Sequence, residues 1–266
     1  MRANLLVMLI PLVAGAASMP PASQPTTAPS VRQPQWPLKD KRTLFTDDAI
    51  AQARANIAKY SSAKAVGESL IKTADEWVAW DDAELAALIA PARVPRAFDV
   101  SAVGCPVCGN QITEKFGGYA WIVDPKRPFK VKCPVDGTVF PTNDFETYCR
   151  SGFTKKIGWD TAYVDDGWGW TDPRTGERYW FVAYANHWTI FGKVRNAVTA
   201  LGRAYVLTGD KRYAHKALVA LHRFAEVYPA MDHANQSRYG AMMKALGRDY
   251  PGKIVNHIWE TDMMSA

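Results

Sequence analysis

The sequence predicts a mainly α-helical protein that carries one small β-rich insert. Two observations predict the helices: apolar residues recur three and four apart in long stretches, and capping or turn residues separate those stretches. The insert is predicted because residues 100–141 are rich in glycine, proline and β-prone residues and lack that spacing. A chain of 266 residues is long enough for one or two domains with a substantial core.

The first 40 residues are expected to lie outside the folded domain. Residues 1–18 have the pattern of a secretory signal peptide, with Arg2 before a short apolar run and small residues at the cleavage site. That run is too short for a stable membrane span, and an uncleaved N-terminal anchor is the alternative. Residues 19–40 are rich in Pro, Ser and Thr, which predicts a disordered linker. We therefore expect a secreted or periplasmic protein whose folded domain spans residues 41–266.

Three helices are predicted ahead of the insert. Thr46 has the position of an N-cap for the first helix, and the second runs from about residue 62 to residue 80. Asp81 opens a shorter third helix, and Pro91 marks its end.

The insert contains two similar cysteine-bearing turns. Cys105 and Cys108 belong to a Cys-Pro-Val-Cys-Gly sequence, and a second copy begins at Cys133 with Asp136 in place of its last cysteine. A complete pair of such turns presents four thiolates to a tetrahedral zinc ion. The sequence therefore predicts a metal site formed by these four residues, with Cys149 as the only other cysteine. Two alternatives stay open: a metal-free relic with the same hairpin geometry, and disulfide bonds, which a secreted protein tolerates.

The segment between the insert and the last predicted hairpin is rich in aromatic and polar residues. Residues 172–176 supply the turn of a predicted β-hairpin. Trp168 and Trp170, which lie among glycines and acids, are candidate sugar-contacting side chains. Asn186 and His187 lead into the next helix and are further substrate-binding candidates, although a histidine before a helix is more often a capping or hydrogen-bonded residue.

The strongest helical signal runs from Trp188 to Pro229. Two apolar stripes are separated by a short turn in which Gly209 ends the first helix and Asp210 caps the second. A connection this short forces the two helices to lie antiparallel. A helical repeat or bundle without chemistry would show the same pattern.

The sequence of this hairpin resembles the heparinase II/III-like and alginate lyase families of polysaccharide lyases. The segment that carries the resemblance is LGRAYVLTGDKRYAHKALVALHRFAEVYP. The paired turns and the phrase FPTNDFETYCRSG strengthen the resemblance, which covers roughly residues 40–266. It implies an incomplete α/α toroid that forms the N-terminal part of a longer enzyme. It also implies cleavage of a uronic-acid polysaccharide by β-elimination without a catalytic metal, so that any zinc in the insert is structural. Members of these families often carry two complete cysteine turns, and Asp136 departs from that pattern.

A last cluster of candidate substrate contacts follows Pro229. It consists of Asn256, His257, Trp259 and Glu260, of which His257 and Glu260 could share one face of a helix. The resemblance implies that the catalytic tyrosine lies beyond Ala266. The chain as given is therefore expected to be weak or inactive as a lyase.

The charge of the chain favours an acidic partner. Its formal net charge is +6, which suits an anionic polysaccharide. Nucleic acid would be an acidic partner too, but the predicted secretion signal argues against a zinc ribbon that binds nucleic acid. Two other function classes stay open. One is an α/α-barrel glycoside hydrolase, which needs two carboxylates facing each other across a cleft, and the other is a non-catalytic secreted carbohydrate-binding protein.

Overall fold

A computed structural model of the protein describes residues 44–231. The chain divides into two compact units, Met1–Lys41 and Arg42–Ala266, and every described residue belongs to the second unit. Helices dominate this part of the chain and the strands are only two residues long, which confirms the mainly α fold. The predicted signal peptide and linker lie outside the described residues, as do Asn256, His257, Trp259 and Glu260.

The elements follow one another in this order: α1 (Asp47–Lys59), α2 (Ser61–Val78), α3 (Asp82–Ala87), α4 (Gln111–Phe116), β1 (Ile122–Val123), β2 (Val131–Lys132), β3 (Val139–Phe140), α5 (Phe145–Arg150), β4 (Trp170–Thr171), β5 (Arg178–Tyr179), α6 (Phe181–Trp188), α7 (Arg195–Thr208) and α8 (Lys211–Val227). A π-helical segment, Thr189–Val194, joins α6 to α7, and a 3₁₀ turn follows α8. Among the described helices, none is both long enough and apolar enough to cross a membrane.

The first helices begin where the capping residues predict. Thr46 Oγ1 accepts the N–H of Ala49 at 3.2 Å at the start of α1. Asp81 Oδ1 accepts the N–H of Ala83 at 2.8 Å at the start of α3. Each side chain satisfies a backbone donor that has no partner inside its own helix.

The predicted antiparallel hairpin is formed by α7 and α8. Gly209 ends α7 in the left-handed region, with φ 78°. Asp210 Oδ1 then accepts the N–H of Arg212 at 2.9 Å and caps α8. These two residues produce the short connection that places the helices side by side.

The long helices pack in a continuous series: α1 contacts α2, α2 contacts α7, and α7 contacts α8, while the short α3 packs on α8. Arg54 of α1 reaches the end of α7, where its guanidinium donates to the carbonyl oxygens of Leu207 at 2.7 Å and Val206 at 3.0 Å. The largest core cluster joins α3, the π-helical segment, α7 and α8; its buried members are Leu85, Leu88, Ile89, Ile190, Phe191, Val194, Val198, Ala220, Phe224, Val227, Tyr228 and Met231.

The helix that precedes the hairpin begins earlier than the sequence analysis expected. α6 starts at Phe181, so Asn186 and His187 lie inside a helix and not in a segment that leads into one. Residues 181–187 are all buried. A helix that is buried on every side lacks the alternation of apolar and polar residues that marks a surface helix, so its start is hard to locate in the sequence.

The insert forms a small antiparallel sheet in the order β1-β2-β3. Val131 in the central strand pairs with Val123 on one side and with Phe140 on the other. The predicted hairpin is formed by β4 and β5, and the N–H of Gly176 donates to the carbonyl oxygen of Asp172 at 2.8 Å in its turn. Both β-structures contribute to one core cluster, which also contains two of the cysteines.

Candidate metal centre and buried polar cluster

The four predicted metal ligands meet at one place in the insert. One ligand atom from each of Cys105, Cys108, Cys133 and Asp136 lies within 4.8 Å of all the others. The Sγ atoms of Cys108 and Cys133 are 3.6 Å apart, and Cys105 Sγ lies 3.6 Å from Asp136 Oδ2. All four cysteines of the chain are free thiols. The cluster is compact enough to hold a metal ion.

The first cysteine turn is held by its own backbone. The N–H of Cys105 donates to the carbonyl oxygen of Gly109 at 2.9 Å, and the reverse bond is 2.8 Å long. The N–H of Val107 points at Cys105 Sγ from 3.4 Å. Gly104 makes this closure possible, because it has φ 89° and a Cβ there would lie 2.3 Å from the Gly109 oxygen. Backbone amides aimed at sulfur stabilise a thiolate.

The second turn fixes the carboxylate of Asp136. The N–H of Thr138 donates to Asp136 Oδ1 at 2.8 Å, which leaves Oδ2 facing the cysteines. The N–H of Gly137 donates to the carbonyl oxygen of Cys133 at 3.0 Å and closes the turn. Asp136 is thus oriented to offer one oxygen to a metal ion.

The electrostatics of the cluster suit a cation. Burial raises the pKa of the Cys105 thiol and raises that of Cys108 to about 11. Burial also acts to raise the pKa of Asp136, but hydrogen bonds from Thr138 and the two cysteines outweigh it and lower that pKa. A soft divalent ion binds thiolates and displaces their protons, so it relieves the cost of holding several anionic ligands together.

Cys149 does not belong to this cluster. Its side chain packs beside the buried residues Phe145 and Tyr148 in a separate core cluster, and burial raises the pKa of its thiol. The fourth ligand position is therefore occupied by Asp136 and not by the remaining cysteine.

A second group of polar side chains is buried beside α6. Asn186 is 2% exposed and His187 is fully buried. The side-chain amide of Asn186 donates to the carbonyl oxygens of Val94 at 3.2 Å and Pro95 at 3.1 Å. The imidazole of His187 meets the ring of Phe98 edge-on, with ring centroids 5.2 Å apart. Both candidates thus face the segment that follows α3.

That segment also buries two charged residues that the sequence analysis did not select. Arg96 is fully buried, with its guanidinium 4.9 Å from the ring centroid of Tyr228, and Asp99 is 6% exposed. Buried charges are rare unless they are paired or functional. The sequence VPRAFD gives no periodic signal that would single them out, because burial of this segment depends on its contact with α6.

The helix changes geometry directly after this polar group. Thr189–Val194 form a π-helical segment between α6 and α7, and four of its six residues are buried. Such segments are uncommon and occur often at functional sites, because they shift the side chains on either side by a fraction of a turn.

The two candidate tryptophans have different environments. Trp168 is 42% exposed on the loop before β4. Trp170 is half-buried and packs against the rings of Tyr163 and Tyr179, with centroid distances of 4.9 and 5.5 Å. Trp168 therefore remains available for a ligand, whereas Trp170 fills the edge of the insert core.

The start of α6 is held by a buried carboxylate. Asp165 is fully buried, and its side chain accepts the N–H groups of Gly167 at 2.8 Å, Gly169 at 2.9 Å and Val182 at 3.0 Å. Burial raises the pKa of Asp165 to about 6, although the three hydrogen bonds oppose that shift. Asn143, also fully buried, pairs with the backbone of Asp165 in both directions, at 2.9 and 3.0 Å.

Comparisons with protein-family models, with curated proteins and with solved structures found no match to this chain.

Proposed function

We propose that the protein is a secreted polysaccharide lyase that cleaves a uronic-acid polymer by β-elimination. The proposal rests on the resemblance carried by the α7–α8 hairpin and the two cysteine turns. The packed series of α1, α2, α7 and α8 is compatible with the incomplete α/α toroid that the resemblance implies. The net charge of +6 would help to attract an anionic polymer.

The observation that best supports this chemistry is the burial of Arg96, Asn186 and His187 beside one helix. In β-elimination the sugar carboxylate must be neutralised so that the adjacent C5 proton becomes acidic, and arginine, asparagine and histidine can all donate to it. A base then removes the proton, and an acid protonates the departing glycosidic oxygen. Arg96 and His187 are fully buried, and the amide of Asn186 already donates to two backbone carbonyl oxygens. These three residues would therefore position the groups that contact the polymer and would not contact it themselves.

The remaining roles lie outside the described residues. Asn256, His257, Trp259 and Glu260 remain proposed substrate contacts. Proton transfer by a positioned acid or base contributes about 10²–10⁴-fold in rate. We propose that the chain binds the polymer and that a positioned acid and base of this kind cleave it.

An experiment on the full chain tests the proposal. It is incubated with alginate, heparan sulfate, hyaluronan and polyglucuronate, binding is measured at two salt concentrations, and the ultraviolet absorbance of unsaturated products is followed. We expect salt-sensitive binding to at least one polymer and formation of double bonds. Cleavage without that absorbance would favour the glycoside hydrolase, and binding without any cleavage would favour the carbohydrate-binding protein.

Two variants sharpen the assignment of residues. Asn186→Ala should lower both binding and turnover, whereas Asn196→Ala, on the exposed surface of α7, should change neither. Rapid turnover that His257→Ala abolishes would instead make Asn256, His257 and Glu260 the catalytic group. The absence of both binding and turnover with all four polymers would contradict the proposal.

For the insert we propose one structural zinc ion held by Cys105, Cys108, Cys133 and Asp136. The compact donor set carries this proposal, because three sulfurs and one oriented carboxylate oxygen match a tetrahedral zinc site. Metal analysis should find one zinc ion per chain, and Co²⁺ substitution should give the absorption of a tetrahedral thiolate site. Cys133→Ser should lose the metal, and Cys149→Ser is the matched control that should keep it. A metal-free protein that is insensitive to added zinc would favour the alternative in which the insert keeps its hairpin geometry without binding a metal ion.

A further inference from the structure

A cleft of about 690 Å³ opens at the corner between α2 and α3. Side chains from these two helices, from the β1–β2 connection and from α5 line it. Its volume lies in the range of about 300–1,000 Å³ that is usual for small-molecule sites. None of the residues assigned above to polymer binding or to the metal centre contributes to its lining, so the cleft is a separate feature of the surface.

Two tryptophans form the aromatic part of the lining. The rings of Trp77 and Trp80 are stacked, with centroids 5.7 Å apart and an angle of 25° between their planes. Both side chains are half-buried and pack against the core cluster of α3 and α8, which holds them in place. Fixed indole rings suit the apolar face of a sugar ring, and their negative faces attract a cation.

The charges of the lining are predominantly negative. Its acidic members are Glu76, Glu84, Asp124 and Glu146, and its basic members are Lys126 and Arg150. Glu146 is paired with Arg150 at 2.8 Å, and Asp124 Oδ1 accepts the backbone N–H of Lys126 at 2.9 Å.

The other two carboxylates are available to a ligand. Glu76 and Glu84 are exposed, and within residues 44–231 neither carboxylate accepts a hydrogen bond or forms an ion pair. The cleft therefore repels a uronate and attracts a cationic group, which is the opposite of what the overall charge of the chain favours.

We propose that this cleft binds an amino sugar with a free ammonium group, as part of an oligosaccharide. The sugar ring would lie against Trp77 and Trp80, and the ammonium group would donate to Glu76 and Glu84. The site requires neither the metal ion nor the elimination chemistry proposed above. It would let the protein hold a cationic or mixed-charge glycan at a distance from the polymer that it cleaves.

Titration of the full chain with a glucosamine tetramer tests the proposal, with tryptophan fluorescence and calorimetry as readouts. The N-acetylglucosamine tetramer and a tetrauronate serve as neutral and anionic ligands of equal length. We expect the glucosamine tetramer to bind at least about tenfold more tightly than the acetylated one, because a charge-assisted hydrogen bond is lost on acetylation. The tetrauronate should not compete with it. Equal affinity for the amine and its acetylated form, or failure of the amine to bind, would overturn the proposal.

Variants locate the binding to the cleft. The double change Glu76→Gln and Glu84→Gln should weaken glucosamine binding by about tenfold or more, and circular dichroism should show an unchanged fold because both residues are exposed. Trp80→Phe should abolish most of the fluorescence change. Glu68→Gln on the exposed face of α2 is the matched control, and a loss of binding in this variant and not in the cleft variants would place the ligand elsewhere.

Discussion

The long helices and the segment between α3 and α6 are stabilised in different ways. The helices α2, α7 and α8 bury stripes of apolar side chains against one another, and α1 packs against α2. Thr46 caps the start of α1 and Asp210 caps the start of α8. The segment between α3 and α6 has little regular structure, and a few buried polar groups and the cysteine cluster hold it together. One region therefore depends on many similar contacts, and the other on a small number of specific ones.

This difference predicts different responses to a local change. Loss of one apolar contact in a helical layer removes a fraction of a large buried area, and neighbouring side chains can adjust in part. Loss of a buried hydrogen-bond partner leaves a donor or acceptor with no substitute, because water cannot reach it. The candidate sites lie in or beside the second region, where single residues matter most.

Removal of the proposed zinc ion should have the largest effect and should be confined to the insert. A ligand that binds only the folded state adds about 4 kcal/mol when its concentration is a thousand times its Kd. Treatment with a chelator should speed amide hydrogen exchange at Val131 and Cys133 and leave α7 and α8 unchanged. Faster exchange in α8 as well would show that the two regions unfold as one unit.

Asn143→Ala should destabilise the fold almost as much. The change leaves the backbone N–H and carbonyl oxygen of Asp165 without the partners that lie 2.9 and 3.0 Å away. Each buried group without a partner costs about 1–3 kcal/mol, so we expect a loss of about 3 kcal/mol in the free energy of unfolding, measured by urea titration. The exposed Asn196→Ala is the control, with a change of about 0.5 kcal/mol or less. A small effect of Asn143→Ala would mean that water replaces the lost partner.

The buried carboxylate of Asp165 should add a pH dependence to the segment between α3 and α6. Its pKa is raised from 3.8 to about 6 in the folded protein, so its neutral form is favoured there. This contribution to stability is complete below pH 3.8 and is lost as the pH rises through 6. The difference in stability between the protein and Asp165→Asn should therefore change by on the order of 2 kcal/mol over this range. Measurement in chelator separates this effect from metal release, and a flat difference would show that the three backbone donors keep the group ionised.

Two glycines, one within α7 and one directly after it, should give the smallest changes in stability. Gly209 has φ 78° and Gly202 lies within the helix, and a Cβ would meet no atom within 4 Å at either position. Gly209→Ala should cost about 1 kcal/mol because of backbone strain alone, whereas Gly202→Ala should stabilise the protein by about 0.5–1 kcal/mol. Thermal unfolding of both variants measures the two effects, and equal signs would contradict the role given to the left-handed conformation of Gly209.

Several parts of the fold could be predicted because their signals are local. Thr46, Asp81, Gly209 and Asp210 act within one turn of their own positions, so their roles can be read from a few neighbouring residues. The apolar stripe of α8 needs only the helical repeat to be recognised.

The candidate sites could be predicted only in part. The spacing of the cysteine turns predicts a metal site, and the structure confirms that the four predicted ligands lie close together. The sequence could not show that Arg96 and Asp99 are buried, or that α6 begins at Phe181, since both depend on contact between segments about 90 residues apart along the chain. The sequence also could not show the cleft at Trp77 and Trp80, because segments that are far apart along the chain form it.

The sequence by itself therefore determined where α1 and α8 start, where α7 stops, and which side chains could bind a metal ion. Only the tertiary structure decided which residues of distant segments meet: Asn143 with Asp165, Cys105 with Asp136, and Asn186 with Pro95. The physical reason is the range of the forces involved. Capping and helical periodicity act over a few residues, whereas burial and long-range hydrogen bonds form only when loops close and surfaces pack, and many sequences with the same local pattern would close differently.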